Sequence, residues 1–226
     1  MKSLYLLLDF FTLIVPLLFS FHPKIKFYLY WAPLFKAIFL VAIPFILLDS
    51  IFVSLGIWGF NTHYVSGYYL YNLPFEEILF FVCIPFSCVF TYYCFDKFFN
   101  FSWKPRTENI ICILLSALLL MVGILNWNKR YSSITFISTA VVCLVLTFKM
   151  NIKWFGKALS TFGVLLIPFI IVNGILTGTC IEAPVVHYNN AENLGIRVLT
   201  IPLEDFIYGF ELYLLNLYFY KRFMLR

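Results

Sequence analysis

Pro74-Phe75-Glu76-Glu77 and Pro202-Leu203-Glu204-Asp205 are two copies of one pattern, in which a proline and an apolar residue precede two adjacent acids. Each copy stands where a polar loop runs into a long apolar stretch. An ionisable side chain at membrane depth is energetically costly and therefore indicates a functional site. The recurrence of an acidic pair in matching places strengthens that indication.

The composition is that of an integral membrane protein. Of 226 residues, 62% are hydrophobic and 12% are charged, and the mean hydropathy is +0.91. A soluble domain carries about a quarter charged residues. Since a membrane-spanning helix needs about 20 apolar residues, the chain predicts an all-α membrane protein with about seven transmembrane helices. The predicted spans are Leu4–Phe21, Pro33–Trp58, Pro74–Phe95, Asn109–Trp127, Ser132–Phe148, Ala158–Thr179 and Pro202–Tyr220.

The basic residues predict the orientation of these spans. With seven spans, four Lys and Arg residues fall on the face of the N-terminus and twelve fall on the opposite face. Positively charged loops remain in the cytoplasm. We therefore expect a protein of the cell membrane with its N-terminus outside and its C-terminus in the cytoplasm, and with both acidic motifs at the outer face.

The two halves of the chain also match beyond the motif. Ile43-Pro44-Phe45-Ile46 recurs as Ile167-Pro168-Phe169-Ile170, 124 residues later. The same offset aligns Asp49 with Asn173 and His63-Tyr64 with His187-Tyr188, and we place four extra residues of the second half after this point. Beyond them, Pro74 aligns with Pro202 at an offset of 128.

These matches predict two parallel three-helix repeats related by a pseudo-twofold axis along the membrane normal. An odd number of spans per repeat would invert the second copy, and a linking fourth helix restores its direction. We expect the first repeat at residues 1–96, the linking helix at 97–131 and the second repeat at 132–226.

Acids in the first turn of a helix have a structural explanation, because they satisfy free N–H groups and suit the helix dipole. We expect Pro74 and Pro202 near the first helical position, with the acids close behind. The structural explanation does not account for two adjacent acids or for the duplication. If four carboxylates meet in a dry cavity, repulsion and burial leave one protonated and another ionised, which is an acid/base pair.

Other polar residues near the motifs are candidate supporting residues. Asp49 is open to two interpretations, a helix–helix hydrogen bond or support of the site, and Asn173 is its repeat partner. The histidines and tyrosines of the two outer loops could be ordinary interfacial residues, or the aromatic rings could stabilise a cation. Arg197 could pair with an acid of the second motif or contact lipid headgroups. The candidates are Asp49, Asn173, His63, His187, Tyr64, Tyr188, Arg197, Pro74 and Pro202.

Several classes of chemistry lack their motifs. The chain has no GxGxxG for a dinucleotide, no GxxxxGK[ST] for a nucleotide and no HExxH for zinc. From the sequence we identify no cofactor and no metal site, and we expect no nucleic-acid partner.

The duplicated motif, together with the topology, resembles the membrane-integral lycopene cyclases, which include a two-subunit bacterial and archaeal type and a fungal fused type. Seven spans with a linking helix resemble the single-chain fused form. The resemblance implies non-redox isomerisation of the ψ end groups of lycopene to β-ionone rings, in carotenoid biosynthesis. It implies an acid/base set of Glu76, Glu77, Glu204 and Asp205, and partners that comprise lycopene or a related linear carotenoid, the bilayer and other carotenoid enzymes. We expect Glu76 and Glu204 to matter most, because each follows the proline at a fixed spacing.

Two other classes of function remain open from the sequence. A small transporter or lipid-handling protein could use the paired carboxylates as an ion or proton site. A non-catalytic assembly subunit would have a similar composition. Conversion of lycopene in a lycopene-making host discriminates the cyclase from both.

Overall fold

Seven α-helices make up most of the computed structural model, which describes residues 3–225. A 3-10 turn, Phe27–Tyr30, leads into the second helix, and the fifth continues as a π-helical segment, Val145–Lys149. The helices are α1 Leu4–Ser20, α2 Trp31–Ser54, α3 Phe75–Phe98, α4 Pro105–Leu125, α5 Arg130–Leu144, α6 Phe155–Leu176 and α7 Leu203–Met224. All seven predicted spans correspond to helices, with bounds that differ by a few residues.

Six very short strands cap one end of the helices. They are β1 Trp58–Phe60, β2 Tyr69–Leu70, β3 Leu73–Pro74, β4 Val186–Tyr188, β5 Arg197–Val198 and β6 Ile201–Pro202. β2 pairs with β3, and β5 pairs with β6, as antiparallel hairpins immediately before α3 and α7. β1 pairs with β4, and this pair joins the two halves of the chain. Strands this short have too few residues to show a period-2 pattern, so no sequence pattern predicts them.

Five helices are long and apolar enough to cross a membrane: α2 with its 3-10 turn, α3, α4, α5 with its π-helical segment, and α6. α1 is apolar but has only 17 residues. α7 has 22 residues and is more polar, since it carries two acids in its first turn, Glu211 in its middle and two basic residues in its last turn. α7 tolerates this polarity because it packs against α2, α3 and α5, and most of its side chains are buried.

α3 and α7 begin in the same way. Pro74 and Pro202 are extended, pair within the hairpins and cap the helices from outside. The first helical N–H groups, of Phe75 and Leu203, donate to loop carbonyls at 2.9 and 3.0 Å. The prolines therefore lie one position earlier than we predicted, because strand pairing holds them in an extended conformation.

The hydrogen bonds of the two halves repeat, and they correct the predicted alignment of the outer loops. Asn61 N–H donates to Val185 O, and Asn189 N–H donates to Ile57 O, both at 2.8 Å, which is an offset of 128. Tyr5 N–H donates to Tyr64 O. The repeat-related bond runs from Tyr131 N–H to Glu192 O.

The extra residues of the second half therefore lie between the end of α6 and β4, and not after Tyr188 as predicted. His187-Tyr188 corresponds to Gly59-Phe60, and His63-Tyr64 corresponds to Ala191-Glu192. The His-Tyr match between the halves is thus coincidental. The predicted alignment was wrong because the loop sequences are too weakly similar to show at which point the extra residues are inserted.

The β1–β4 pair marks the local pseudo-twofold axis. In its register Trp58 faces Tyr188, Gly59 faces His187 and Phe60 faces Val186. Adding 128 to a residue number of β1 gives the equivalent residue of β4, so the pair of Trp58 with Tyr188 is equivalent to the pair of Phe60 with Val186. The pair of Gly59 with His187 is equivalent to itself, so the axis passes between these two residues. A Cβ on Gly59 would lie 2.7 Å from Nε2 of His187, and glycine therefore permits the close approach of this side chain.

The two halves depart from this symmetry in one important contact. α2 packs closely along α7, where Phe45 of α2 and Leu212 of α7 form one buried cluster with Phe81 of α3. The repeat-related pair, α6 and α3, lies further apart. α1 and α6 touch only briefly. The space left between α1, α3, α6 and α7 is a cavity, whereas on the α2 side the cluster of Phe45, Phe81 and Leu212 packs tightly.

We expect Gly156→Ala to destabilise the fold by about 1–3 kcal/mol, because its Cβ would lie 2.6 Å from Cγ of Trp103, whose rigid indole cannot give way cheaply. Gly163→Ala, in the same helix, meets no atom within 4 Å and should be neutral or stabilising by up to about 1 kcal/mol. Thermal unfolding of both variants in the same detergent checks this. Equal melting temperatures for the two variants would contradict the packing.

Candidate active site

The cavity is long, largely apolar and open to one side. Its volume is about 510 Å³. It runs along α3 from Glu77 to Thr91, which is about 21 Å at 1.5 Å per residue. Exposed side chains of α1 and α6, including Phe11, Val15 and Ile171, stand at its rim. The cavity therefore opens sideways, where the hydrocarbon of a bilayer would lie, and suits an elongated apolar molecule.

Three carboxyl groups converge at one end of this cavity. Glu77, Asp205 and Asp49 all line it and are buried. Within residues 3–225, the salt bridges join Arg130 to Glu192 and Lys157 to Asp96, and neither involves these three acids. Among the described residues, the hydrogen bonds that these three acids accept come from tyrosine hydroxyls.

The first acid of each motif points elsewhere. Glu76 Oε1 accepts a hydrogen bond from Ser66 N–H at 2.6 Å, and Glu204 Oε1 accepts one from Leu194 N–H at 2.7 Å and one from Ser132 Oγ. Both glutamates are fully buried and hold the preceding loop against the helix start. The expectation that the first acids matter most is thus not supported by their positions, because adjacent helical side chains point about 100° apart and only the second acid faces the cavity.

Glu77 is held by a tyrosine and faces a second acid. Tyr5 Oη donates to Glu77 Oε2 at 2.6 Å. Asp49 of α2 is also buried and lines the same cavity as Glu77. Tyr208 Oη donates to Asp49 Oδ1 at 2.8 Å. Two neighbouring buried carboxyl groups without a cationic partner repel each other when both are ionised, which favours a proton on one of them, so this pair is suited to store a proton.

Asp205 has a different environment, with a hydroxyl donor on each oxygen. Tyr131 Oη donates to Oδ1 at 2.6 Å and Tyr188 Oη donates to Oδ2 at 2.9 Å. Burial, followed by the nearby Asp205 carboxylate, raises the pKa of Tyr188, which keeps the phenol protonated as a donor. Two donors favour the ionised form of a carboxyl group, so Asp205 is arranged to accept a proton.

The start of α5 is fixed by the loop that precedes α7. The Glu192 carboxylate accepts from Arg130 N–H at 3.1 Å, and the carbonyl of Glu192 accepts from Tyr131 N–H at 3.0 Å. The hydrogen bond from Arg130 lowers the pKa of Glu192, which is therefore ionised at neutral pH. This anchor holds the Tyr131 hydroxyl against Asp205.

Aromatic rings surround the acidic end of the cavity. Trp58 lies edge-on to Tyr131, with ring centroids 5.0 Å apart, and close to Tyr188 and Tyr208 at 6.0 and 6.4 Å. Phe80 also lines the cavity, at the position related by the repeat to Tyr208. Aromatic faces attract cations, so this end can stabilise positive charge that develops on a bound molecule.

The other predicted site residues divide into two groups. Asn173 and Tyr188 line the cavity, Tyr188 as a donor to Asp205. His63 is exposed, and Tyr64 contributes only its backbone carbonyl, to Tyr5 N–H. His187 is exposed and lines a separate hollow on the loop side.

Arg197 contacts neither acid of the second motif. Its guanidinium donates to Thr200 O at 2.6 Å and to Asn190 Oδ1 at 2.9 Å, and it lies 5.8 Å from the centre of the Tyr188 ring. Tyr68 and Tyr71, in the tyrosine-rich loop, are 76% and 85% exposed and do not contribute to the cavity.

Sequence reasoning missed the residues that complete the site and three further buried acids, Asp9, Glu108 and Glu211. Tyr5, Tyr131, Tyr208 and Trp58 were not singled out, although Tyr5 and Tyr131 occupy matching places at the starts of the first and fifth spans. Buried acids outside the cavity were also missed. Glu211 accepts from Ser138 Oγ at 2.7 Å and Thr139 Oγ1 at 2.9 Å, and Asp9 Oδ2 lacks a partner within the described residues.

The arrangement can transfer protons at the end of an apolar molecule. One carboxyl pair stores a proton, a third carboxyl group accepts one, and apolar walls exclude water between them. No group of three or more His, Cys, Asp or Glu side chains that could hold a metal ion occurs in the part of the chain that the structure describes.

Comparison with known proteins identifies the family. The family model described as Lycopene cyclase matches residues 2–95 and again residues 128–223. No curated protein and no solved structure matches the chain. The two matched segments contain the two halves that share hydrogen bonds, and each contains one acidic motif. The chain is therefore a member of the lycopene cyclase family, a membrane-associated enzyme that acts on a carotenoid.

Proposed function

We propose that the enzyme converts the ψ end groups of lycopene to β-ionone rings by acid/base isomerisation, forming γ-carotene and then β-carotene. The observation that carries this proposal is the placement of a proton-storing pair, Glu77 and Asp49, and a proton-accepting group, Asp205, on the same apolar cavity. Isomerisation of this kind changes neither composition nor oxidation state, and it needs an acid and a base in one dry site.

Ring closure begins at the acid pair. Glu77 or Asp49 gives its proton to the terminal double bond, so that a C–H bond forms and a tertiary carbocation remains. The neighbouring double bond attacks this cation, a C–C bond closes the ring and the positive charge moves to a ring carbon. Trp58, Tyr208 and Phe80 present aromatic surface at this end of the cavity and stabilise the charge.

Asp205 completes the reaction. Its carboxylate removes a proton from the carbon next to the cationic ring carbon, a C–H bond breaks, and its electrons form the ring double bond. One proton has been added and one removed, so the product is an isomer of the substrate. Asp205 lines the same end of the cavity as the acid pair, which supports removal of a proton from the ring that has just closed.

The shape and the opening of the cavity support a substrate that is an elongated carotenoid and that reacts at one end at a time. The cavity is open between α1 and α6 toward the lipid side, which suits a substrate dissolved in the bilayer. The corresponding space on the α2 side is filled by contact with α7. Both motifs therefore serve one cavity, and the second ring of a bicyclic product requires a second binding event.

The proposed setting is the cell membrane. The bias of basic residues supports an outer N-terminus and a cytoplasmic C-terminus, with the acidic end of the cavity near the outer face. Carotenoid substrate and product remain in the bilayer, which favours proximity to other carotenoid enzymes. We propose that the reaction uses no cofactor, because its steps move only protons and carbon–carbon bonds.

Expression in a lycopene-accumulating host tests this function. We expect the red pigment to become orange β-carotene, identified by chromatography and absorption spectrum. Matched cells that express Gly163→Ala should do the same, since the change meets no neighbouring atom. Unchanged lycopene in cells that contain abundant folded protein would contradict the proposal and favour an ion-binding or assembly role for the acids.

A further inference from the structure

A second hollow lies next to the active-site cavity, on the side of the loops. It has a volume of about 340 Å³. Three residues, Thr177, Val186 and Tyr188, line both spaces, so they form the wall between them. The remainder of the hollow is formed by Pro184, His187, Arg197, Leu199 and Thr200. Its surroundings include exposed polar residues, unlike the lipid-facing rim of the main cavity.

Tyr188 is the polar connection through this wall. Its hydroxyl donates to Asp205 Oδ2 at 2.9 Å. Arg197 fixes the ring from the side of the hollow, and it is itself held by Thr200 O and Asn190 Oδ1. Threonine hydroxyls line the same side, with Thr200 Oγ1 lying 2.7 Å from Thr177 Oγ1. The hollow thus combines these polar groups with apolar side chains, and it borders the tyrosine whose hydroxyl binds the base.

The first half of the chain carries different residues at the matching positions. At an offset of 128, Phe60 occupies the position of Tyr188 and Tyr69 occupies that of Arg197. Phenylalanine has no hydroxyl that could reach Glu77. The connection to the loop side therefore serves Asp205 and not the acid pair. This difference between the halves suits a base, which must release the proton that it takes from each substrate.

We propose that Tyr188 is a proton relay that connects Asp205 to water in the loop-side hollow, so that the proton taken from each substrate exchanges with solvent before the next turnover. This inference rests on the proposed cyclase reaction. After ring closure Asp205 holds a proton and the Glu77–Asp49 pair lacks one. The Asp205 proton passes to the Tyr188 oxygen while the phenol gives its own proton to water, and the reverse step loads a solvent proton on Asp205. That proton then passes from Asp205 to the acid pair, whose carboxyl groups converge with Asp205 at one end of the cavity.

Deuterium content of the product measures this exchange. Purified protein in lipid vesicles is incubated with lycopene in D₂O for many turnovers, and the carotenoids are analysed by mass spectrometry. Wild-type protein should place about one deuterium in each ring formed, because one solvent-derived proton is added per ring. In Tyr188→Phe the proton that Asp205 takes from one substrate is not exchanged with solvent and is passed to the next substrate. The deuterium content of the product should therefore fall below about half a deuterium per ring.

Tyr131→Phe is the matched control, because it also removes a hydroxyl from Asp205 but Tyr131 does not line the hollow. The carotenoid rings that Tyr131→Phe forms should keep the wild-type deuterium content even if turnover slows. Wild-type content in Tyr188→Phe would overturn the relay, as would equal losses in both variants or nearly unlabelled rings from wild-type protein. Absence of any ring product from folded wild-type protein would instead overturn the proposed function, and the relay with it.

If Tyr188→Phe makes no product, the relay is tested by blocking the hollow chemically. Leu199→Cys, in a Cys180→Ser background, places a thiol in the hollow after folding, and a bulky methanethiosulfonate reagent then blocks it. Modification of the introduced thiol should lower the deuterium content of the product rings by at least about half. The Cys180→Ser protein treated with the same reagent should form rings with an unchanged deuterium content. An unchanged content in the labelled Leu199→Cys protein would overturn the relay.

Discussion

Asp205→Asn is expected to lower the rate of ring formation by about 10²- to 10⁴-fold, because an amide cannot accept the proton that the carbocation must lose. The change preserves size, and the amide oxygen can still accept from one of the two tyrosines, Tyr131 or Tyr188. The measurement is product formed per folded protein, by chromatography of carotenoids from vesicles with a fixed lycopene content.

Glu211→Gln is the control for Asp205→Asn. Glu211 is another buried acid of α7, but it bonds to Ser138 and Thr139 and does not line the cavity. We expect it to lower thermal stability and to leave turnover per folded protein near the wild-type value. Turnover at the wild-type rate in Asp205→Asn, or equal loss in both variants, would contradict the role of Asp205 as the base.

Glu77→Gln should have an effect of similar size, about 10²- to 10⁴-fold, because the acid pair can no longer share and deliver a proton. The glutamine carbonyl can still accept from Tyr5 Oη, so the helix start should be preserved. The same vesicle assay checks this. The result to expect is recovery of unreacted lycopene, and not of a partly cyclised product, because protonation precedes ring closure.

Glu76→Gln is the matched comparison, since it alters the neighbouring acid of the same motif. Glu76 holds the loop through Ser66 N–H and lies outside the cavity. Weakening this buried bond should cost about 1–3 kcal/mol of stability, with turnover per folded protein little changed. A folded Glu76→Gln protein that is inactive beside an active Glu77→Gln protein would reverse the assignment of the two acids.

Much of the fold was accessible from the sequence because its signals are long. Each apolar stretch of about 20 residues identifies a span almost regardless of detail. The duplicated motif revealed the repeat because Pro74 and Pro202 both close a hairpin and begin a helix. The domain bounds at residues 96 and 132 stay predictions, although α5 begins slightly earlier, at Arg130.

The site was less accessible because it depends on which way single side chains point. The motif shows two acids, but only packing shows that Glu77 enters the cavity while Glu76 turns to Ser66. Tyr5 and Tyr208 are distant in sequence from the acids they bind and carry no local pattern. The closer packing of α2 against α7 than of α6 against α3 is an asymmetry that no repeat alignment reveals.

The most direct test of the account is the mass and ring content of the carotenoid recovered after purified wild-type protein is incubated with lycopene in vesicles. The account predicts a product with the same mass as lycopene and with β rings identified by its absorption spectrum. Recovery of unchanged lycopene from folded protein, or a product whose mass differs by oxidation or hydration, would contradict it.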